Sequence, residues 1–173
     1  MKSIRFRILS CVLALILSLG LAGQVLALPV QPIDPIITPP FSPGISDDFT
    51  DPNFRQVVWE WLGHTGTPGY FTQKNIDDQI AAGNVRLNCA DKNISSLNGI
   101  EHFNGLKVLM CFDNRLTSLP KLPESLEELH CGDNNLSSLP TLPGSLRKLY
   151  CEKNQLTRIN SLPANLKILS CSN

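Results

Sequence analysis

Five of the six cysteines stand at positions 89, 111, 131, 151 and 171, three intervals of twenty residues preceded by one of twenty-two. Thiols in that number suggest metal ligation, nucleophilic catalysis or disulfide formation. A metal centre needs two to four Cys or His side chains converging on one point, whereas these cysteines repeat along a line with no paired Cys-x-x-Cys. A thiol nucleophile needs a base within hydrogen-bond reach, and the chain has three histidines: His64 in a loop, His102 between repeating units, and His130 beside Cys131. Residues 130 and 131 fall on a predicted strand, where neighbours point to opposite faces, so they cannot act as a pair. No Gly-x-Ser-x-Gly, phosphate loop or paired-carboxylate arrangement is present. The expectation is a protein without catalytic residues, metal or cofactor. The segment from His64 to Asn75 has the length and central glycine of a calcium loop, but His64, Gly66, Pro68 and Asn75 stand where acidic ligands belong, so no calcium is expected there.

Composition narrows the function classes. The 173 residues hold 15 Lys+Arg against 15 Asp+Glu, which argues against a nucleic-acid binder. The neutrality is partly a leader effect. Lys2, Arg5 and Arg7 precede an apolar run from Ile8 to Ala22, and Val25 and Ala27 occupy the −3 and −1 positions of a cleavage site after Ala27. Residues 1–27 read as a secretory signal peptide, with a retained membrane anchor as the alternative. Its removal leaves 12 Lys+Arg against 15 Asp+Glu, net −3, and five cysteines. The expected destination is secretion or the cell surface, with no membrane contact after cleavage.

The elements that position the cysteines can be read from the rest of the chain. Residues 28–50 are proline-rich and lack helical or strand periodicity, which predicts an extended tether. Residues 51–83 predict a helical cap. Asp51 can cap a first helix, Pro52 suits its first turn, Phe54, Val57, Val58, Trp61 and Leu62 share one face, and Gly63 stops it. A second helix is expected from about Thr72 to Ala82, with Ile76 and Ile80 four apart and Gly83 as terminator. Two such short helices cannot form a core alone and must pack on the C-terminal half of the chain.

From residue 84 onward the chain is periodic: LKVLMCFDNRLTSLPKLPES, LEELHCGDNNLSSLPTLPGS, LRKLYCEKNQLTRINSLPAN and LKILSCSN. Self-similarity at this period marks a solenoid. Leu106-x-x-Leu109-x-Cys111-x-x-Asn114-x-Leu116, followed by Leu119-Pro120-x-Leu122-Pro123 and repeated twenty residues on, resembles the leucine-rich repeat in its short bacterial form. The third copy has Ile159-Asn160 in place of Leu-Pro. The first departs further, with Asn84 for a leucine and Lys92 for the asparagine, and its tail Ile94 to Glu101 looks like the longer repeat of internalin-type surface proteins. The resemblance covers residues 84–173, about four full repeats and a truncated last one. It implies an α+β repeat solenoid: a leucine-rich-repeat horseshoe with a parallel sheet on the concave side, an extended convex side and a small helical N-terminal cap.

Stacking strands about 4.8 Å apart builds one parallel sheet whose inward Leu and Cys columns form a continuous core. Parallel thiols at that spacing fit poorly with the Cβ separation of about 3.8 Å that a disulfide needs. Cys89, Cys111, Cys131, Cys151 and Cys171 are therefore expected as reduced, buried small hydrophobes. Asn114, Asn134 and Asn154, where the chain leaves each strand, are expected to satisfy turn backbone. The prolines of the return path favour an extended convex side.

Binding is expected on the concave face. Val108, Met110 and Phe112 put three large apolar side chains on one outward strand face, with His130 and Tyr150 in the column beside Met110. Asp91, Asp113 and Asp133 form a row that either steers a basic partner or caps turns. The partner-binding set is Val108, Met110, Phe112, His130, Tyr150, Asp113 and Asp133, unless loops or the cap cover the patch. The partner is expected to be a protein or a glycan. The alternatives are a structural or adhesive envelope component, with self-association through an uncapped last repeat, or the repeat part of a longer protein with a separate effector domain.

Overall fold

In the computed structural model residues 44–159 and 161–172 are described; the expected signal peptide and most of the tether lie outside them. Helix α1, Pro52–Trp61, starts where Asp51 takes an extended conformation and its Oδ1 accepts from the backbone N–H groups of Asn53 and Phe54 at 2.9 and 3.0 Å. It buries Phe54, Val57 and Val58 and ends at Leu62 and Gly63. Helix α2, Gln73–Ala81, is bounded by Thr72 and Ala82, buries Ile76, and is followed by Gly83 at a φ of 93°. Neither helix is long and apolar enough to cross a membrane.

Five three-residue strands come next: β1 (Arg86–Asn88), β2 (Val108–Met110), β3 (Glu128–His130), β4 (Lys148–Tyr150) and β5 (Ile168–Ser170). They pair in parallel, in chain order and in strict register, with Leu87, Leu109, Leu129, Leu149 and Leu169 in one row. Because every coil from β2 onward spends twenty residues, equivalent side chains stack in columns. Among the described residues the return path between strands carries no helix except a 3₁₀ turn at Ile100–His102 in the longer first coil. Leu116, Leu119, Leu122 and Leu126 of the second coil are buried beneath it, as are Leu136, Leu142 and Leu146 of the third. In the last described coil Leu162, Ile168 and Leu169 are exposed.

One residue of the expected tether helps join the cap to this core. Phe49 is 2% exposed and packs on Phe54, Phe71 and Phe103 at ring-centroid distances of 5.6, 5.1 and 6.2 Å. A tether running through residue 50 is therefore not what the chain forms; residues 45–50 fold onto the cap, with Ser46 also buried. Gly99 permits this, since at its φ of 99° a side chain would be strained and a Cβ would stand 2.7 Å from the Phe49 ring. The second seam is Asp51. While Oδ1 caps α1, Oδ2 accepts from Ser95 N and Ser95 Oγ at 2.8 and 2.7 Å, tying the cap to the first coil.

Candidate functional site on the concave face

The columns behind the sheet fix the geometry of the face in front of it. Cys89, Cys111, Cys131 and Cys151 are buried and Cys171 is exposed, all five as free thiols. The backbone N–H groups of Cys89, Cys111, Cys131 and Cys151 continue the strand pairing, donating to the Met110, His130, Tyr150 and Ser170 carbonyls at 2.8 Å each. Burial pushes the Cys89 thiol up to about 12 and that of Cys151 to about 11, and raises Cys111 and Cys131 as well, with neighbouring thiols adding to the effect. The column is thus neutral and unreactive where it is buried.

Three residues on, the asparagines close each turn. Asn134 Nδ2 donates to the carbonyls of Cys111, Cys131 and Gly132 at 3.0, 3.3 and 3.0 Å, and Oδ1 accepts from Leu116 N at 3.0 Å. Asn154 repeats this with Cys131, Cys151, Glu152 and Leu136. Asn114 does so with Cys89, Cys111 and Phe112, and it accepts from both Lys92 N and Ile94 N. Each amide therefore bonds its own coil and the coil before it. A further column went unread in the sequence although it has the same period. Ser125 Oγ and Ser145 Oγ donate to the Leu106 and Leu126 carbonyls at 2.8 and 2.6 Å, just before β3 and β4.

Outward from this frame, the predicted partner-binding residues divide. Met110 and Phe112 of the second coil face out, Phe112 with 41% exposure. Tyr150 stacks on His130, with ring centroids 4.4 Å apart and planes 13° from parallel. Parallel pairing places Met110, His130 and Tyr150 side by side. His130 Nε2 lies 2.6 Å from Glu128 Oε1, and Lys148 Nζ lies 3.1 Å from Glu128 Oε2. The hydrogen bond with His130 holds the Glu128 carboxyl below the usual range against its partial burial, and Lys148 acts in the same sense.

Val108 is a correction: at 9% exposure it is buried rather than part of the apolar patch. It sits at the start of β2 in register between Arg86 and Glu128, whose longer side chains flank it. The aspartate row sits at the turns that follow the strands. Asp91, Asp113 and Asp133 have φ of 53°, 56° and 50°, the left-handed region that aspartate tolerates at turns. The fourth coil puts Lys153 there at 50°, and Lys153 Nζ pairs with Asp133 at 3.0 Å, so the acidic row ends at the third coil. The Asp133 carboxylate, first through its hydrogen bond, raises the Lys153 ammonium above its ordinary range.

A recess of about 220 Å³ opens on this face between Phe112, His130, Gly132, Asp133, Tyr150 and Glu152. Gly132 and Glu152 were not singled out from the sequence. The available signal was that Gly132 is the one coil position after the cysteine without a side chain between Phe112 and Glu152.

No family model matches the sequence, and none of the curated proteins is similar to it. Among solved structures, the functional domain of InlJ from Listeria monocytogenes, which includes a cysteine ladder, is 28% identical over 73% of this chain with a TM-score of 0.63. YopM from Yersinia enterocolitica is 28% identical over 69% with a TM-score of 0.50, and the internalin InlC2 from Listeria monocytogenes 25% identical over 75% with 0.54. This chain spans 27% of the length of the InlJ and YopM chains and 68% of that of InlC2. The register, the thiol and asparagine columns and these likenesses agree: the chain is an internalin-like leucine-rich-repeat protein.

Proposed function

We propose that the chain is an exported recognition module that binds a protein on its concave face, through Met110, Phe112, His130 and Tyr150, and carries out no catalysis. The observation that carries this reading is the exposed Phe112 beside the stacked His130–Tyr150 pair. Large aromatic side chains on a rigid surface bury much area at little entropic cost, the property of interaction hot spots. The sheet beneath is held by side-chain hydrogen bonds in each coil, so little ordering is needed on binding. His130 and Cys131 are turned to opposite faces and the Cys131 thiol is buried, which supports binding over nucleophilic chemistry. Export rests on the signal-like segment 1–27 and on the likeness to internalins.

The test is capture of an extracellular protein by the processed chain and by the variant Met110→Ala, Phe112→Ala, Tyr150→Ala. Loss of capture with an unchanged far-ultraviolet spectrum is expected. Undiminished capture by the folded variant would refute the site. An N-terminus at Leu28 on the exported product checks the export half of the reading.

A further inference from the structure

The outward column one step past the strands runs Phe112, Gly132, Glu152 across three neighbouring coils. The missing side chain of Gly132 opens the recess, and Glu152 leans into it: a Cβ on Gly132 would stand 3.1 Å from Glu152 Cδ and 3.3 Å from Cγ. Glu152 Oε2 is shielded from solvent and accepts no hydrogen bond among the described residues. A carboxylate oxygen removed from water without a donor is costly, and a ligand that supplies the donor recovers that cost.

Charge selects the kind of donor. Glu128 is paired with Lys148 and Asp133 with Lys153; Lys153 also feels Glu152 and Asp113 at longer range, but among the described residues no cation lies within ion-pair distance of either, so one lysine faces three carboxylates. A neutral hydroxyl would satisfy the hydrogen bond and leave the charge. A guanidinium supplies the charge, donates in its own plane and lies flat on an aromatic ring. The recess has all three complements: a carboxylate without a donor, net negative charge, and the rings of Phe112 and Tyr150 on its walls.

We propose that the recess over Gly132 receives an arginine side chain of the protein partner, the guanidinium donating to Glu152 and stacking on an aromatic wall. This rests on the concave-face reading and narrows it to a basic partner surface.

The experiment is a titration of the ¹⁵N-labelled processed chain with acetyl-Gly-Arg-Gly-amide and with its citrulline counterpart, which has nearly the same shape and no charge. The expected result is saturable shifts at the Gly132 and Glu152 amides, with the arginine peptide bound at least tenfold tighter than the citrulline peptide. Glu152→Gln should weaken the arginine peptide at least fivefold, and Gly132→Val should abolish the shifts by filling the recess. Equal affinity for the two peptides, shifts centred elsewhere, or saturation of these amides by N-acetylglucosamine but not by the arginine peptide would overturn the proposal. The two readings fail separately. Capture lost in the triple-alanine variant but no preference for arginine removes the arginine site alone, and capture kept by that variant removes the concave-face reading.

Discussion

The two sides of the same strands obey different rules. Behind the sheet each coil repeats the last: Leu109, Leu129 and Leu149 in one column, Cys111, Cys131 and Cys151 in the next, then Asn114, Asn134 and Asn154. In front of it three successive outward positions do not repeat, and only the turn position after them carries a recurring aspartate: Val108, Glu128 and Lys148, then Met110, His130 and Tyr150, then Phe112, Gly132 and Glu152. Repetition behind follows from stacking, because a side chain that fits between two identical coils must recur wherever the coils recur. Variety in front has no such constraint, so that face is where one partner can be told from another. Stability should therefore reside in the columns and recognition on the face.

The largest effect that separates the two sides is expected at Asn134. Asn134→Ala orphans the buried Leu116 N–H and takes one of two donors from each of the Cys111, Cys131 and Gly132 carbonyls, which keep Asn114, Asn154 and the Asp113 N–H, and should cost about 4 kcal/mol in urea unfolding. Asn134→Asp keeps the shape but not the donor, and sets a negative charge among carbonyl oxygens, so it should be at least as damaging. A mild Asn134→Asp would show that the amide acts by filling space and would erase the distinction.

Next comes Asp51. Asp51→Ala removes a helix cap and both bonds to Ser95, and should cost about 2–3 kcal/mol at neutral pH. Burial raises this carboxyl, but the hydrogen bonds from Ser95, Phe54 and Asn53 outweigh it and hold it below 3.8. A carboxyl depressed in the folded state stabilises above its unfolded value and loses that contribution as pH falls through the folded one. The wild type should thus lose stability below about pH 4, with Glu127 and Glu128, also depressed, acting in the same window. Asp51→Asn should start lower at pH 7 and show a shallower loss, read by urea unfolding at pH 7 and pH 3.

A smaller effect is expected from the thiols. Cys131→Ser puts a hydroxyl in an apolar column and should cost about 1–3 kcal/mol, more than Cys131→Ala. In the native processed chain a thiol reagent should modify Cys171 rapidly and the four buried cysteines only after unfolding. Fast labelling of two or more would mean that the column opens.

The same division governs what the sequence discloses. The columns were legible because a requirement repeated every twenty residues is visible without coordinates, and the helical cap was legible from Asp51, Pro52 and the apolar face of α1. Ser125 and Ser145 share the same period, but a serine is so common in turns that its recurrence alone does not mark a structural column. Phe49 was not legible, since a single apolar residue in a proline-rich stretch carries no period, and its partners Phe71 and Phe103 are distant in sequence. Nor was the bond between Asp51 and Ser95, which spans 44 positions. On the face, exposure depends on the neighbours across the strand. Val108 is covered between two longer side chains, and the recess exists because a residue without a side chain lies beside a glutamate. Such features belong to pairs of coils and appear in no single repeat.

The smallest stability effect is expected where the most side-chain volume would be removed from the face, which gives the sharpest test of this division of labour. Equilibrium urea unfolding of the variant Met110→Ala, Phe112→Ala, Tyr150→Ala should be compared with that of Asn134→Ala. Three exposed or half-buried side chains, one of them stacked on His130, should together cost under about 2 kcal/mol, less than half the loss at the single buried amide. A triple variant less stable than Asn134→Ala would contradict the account.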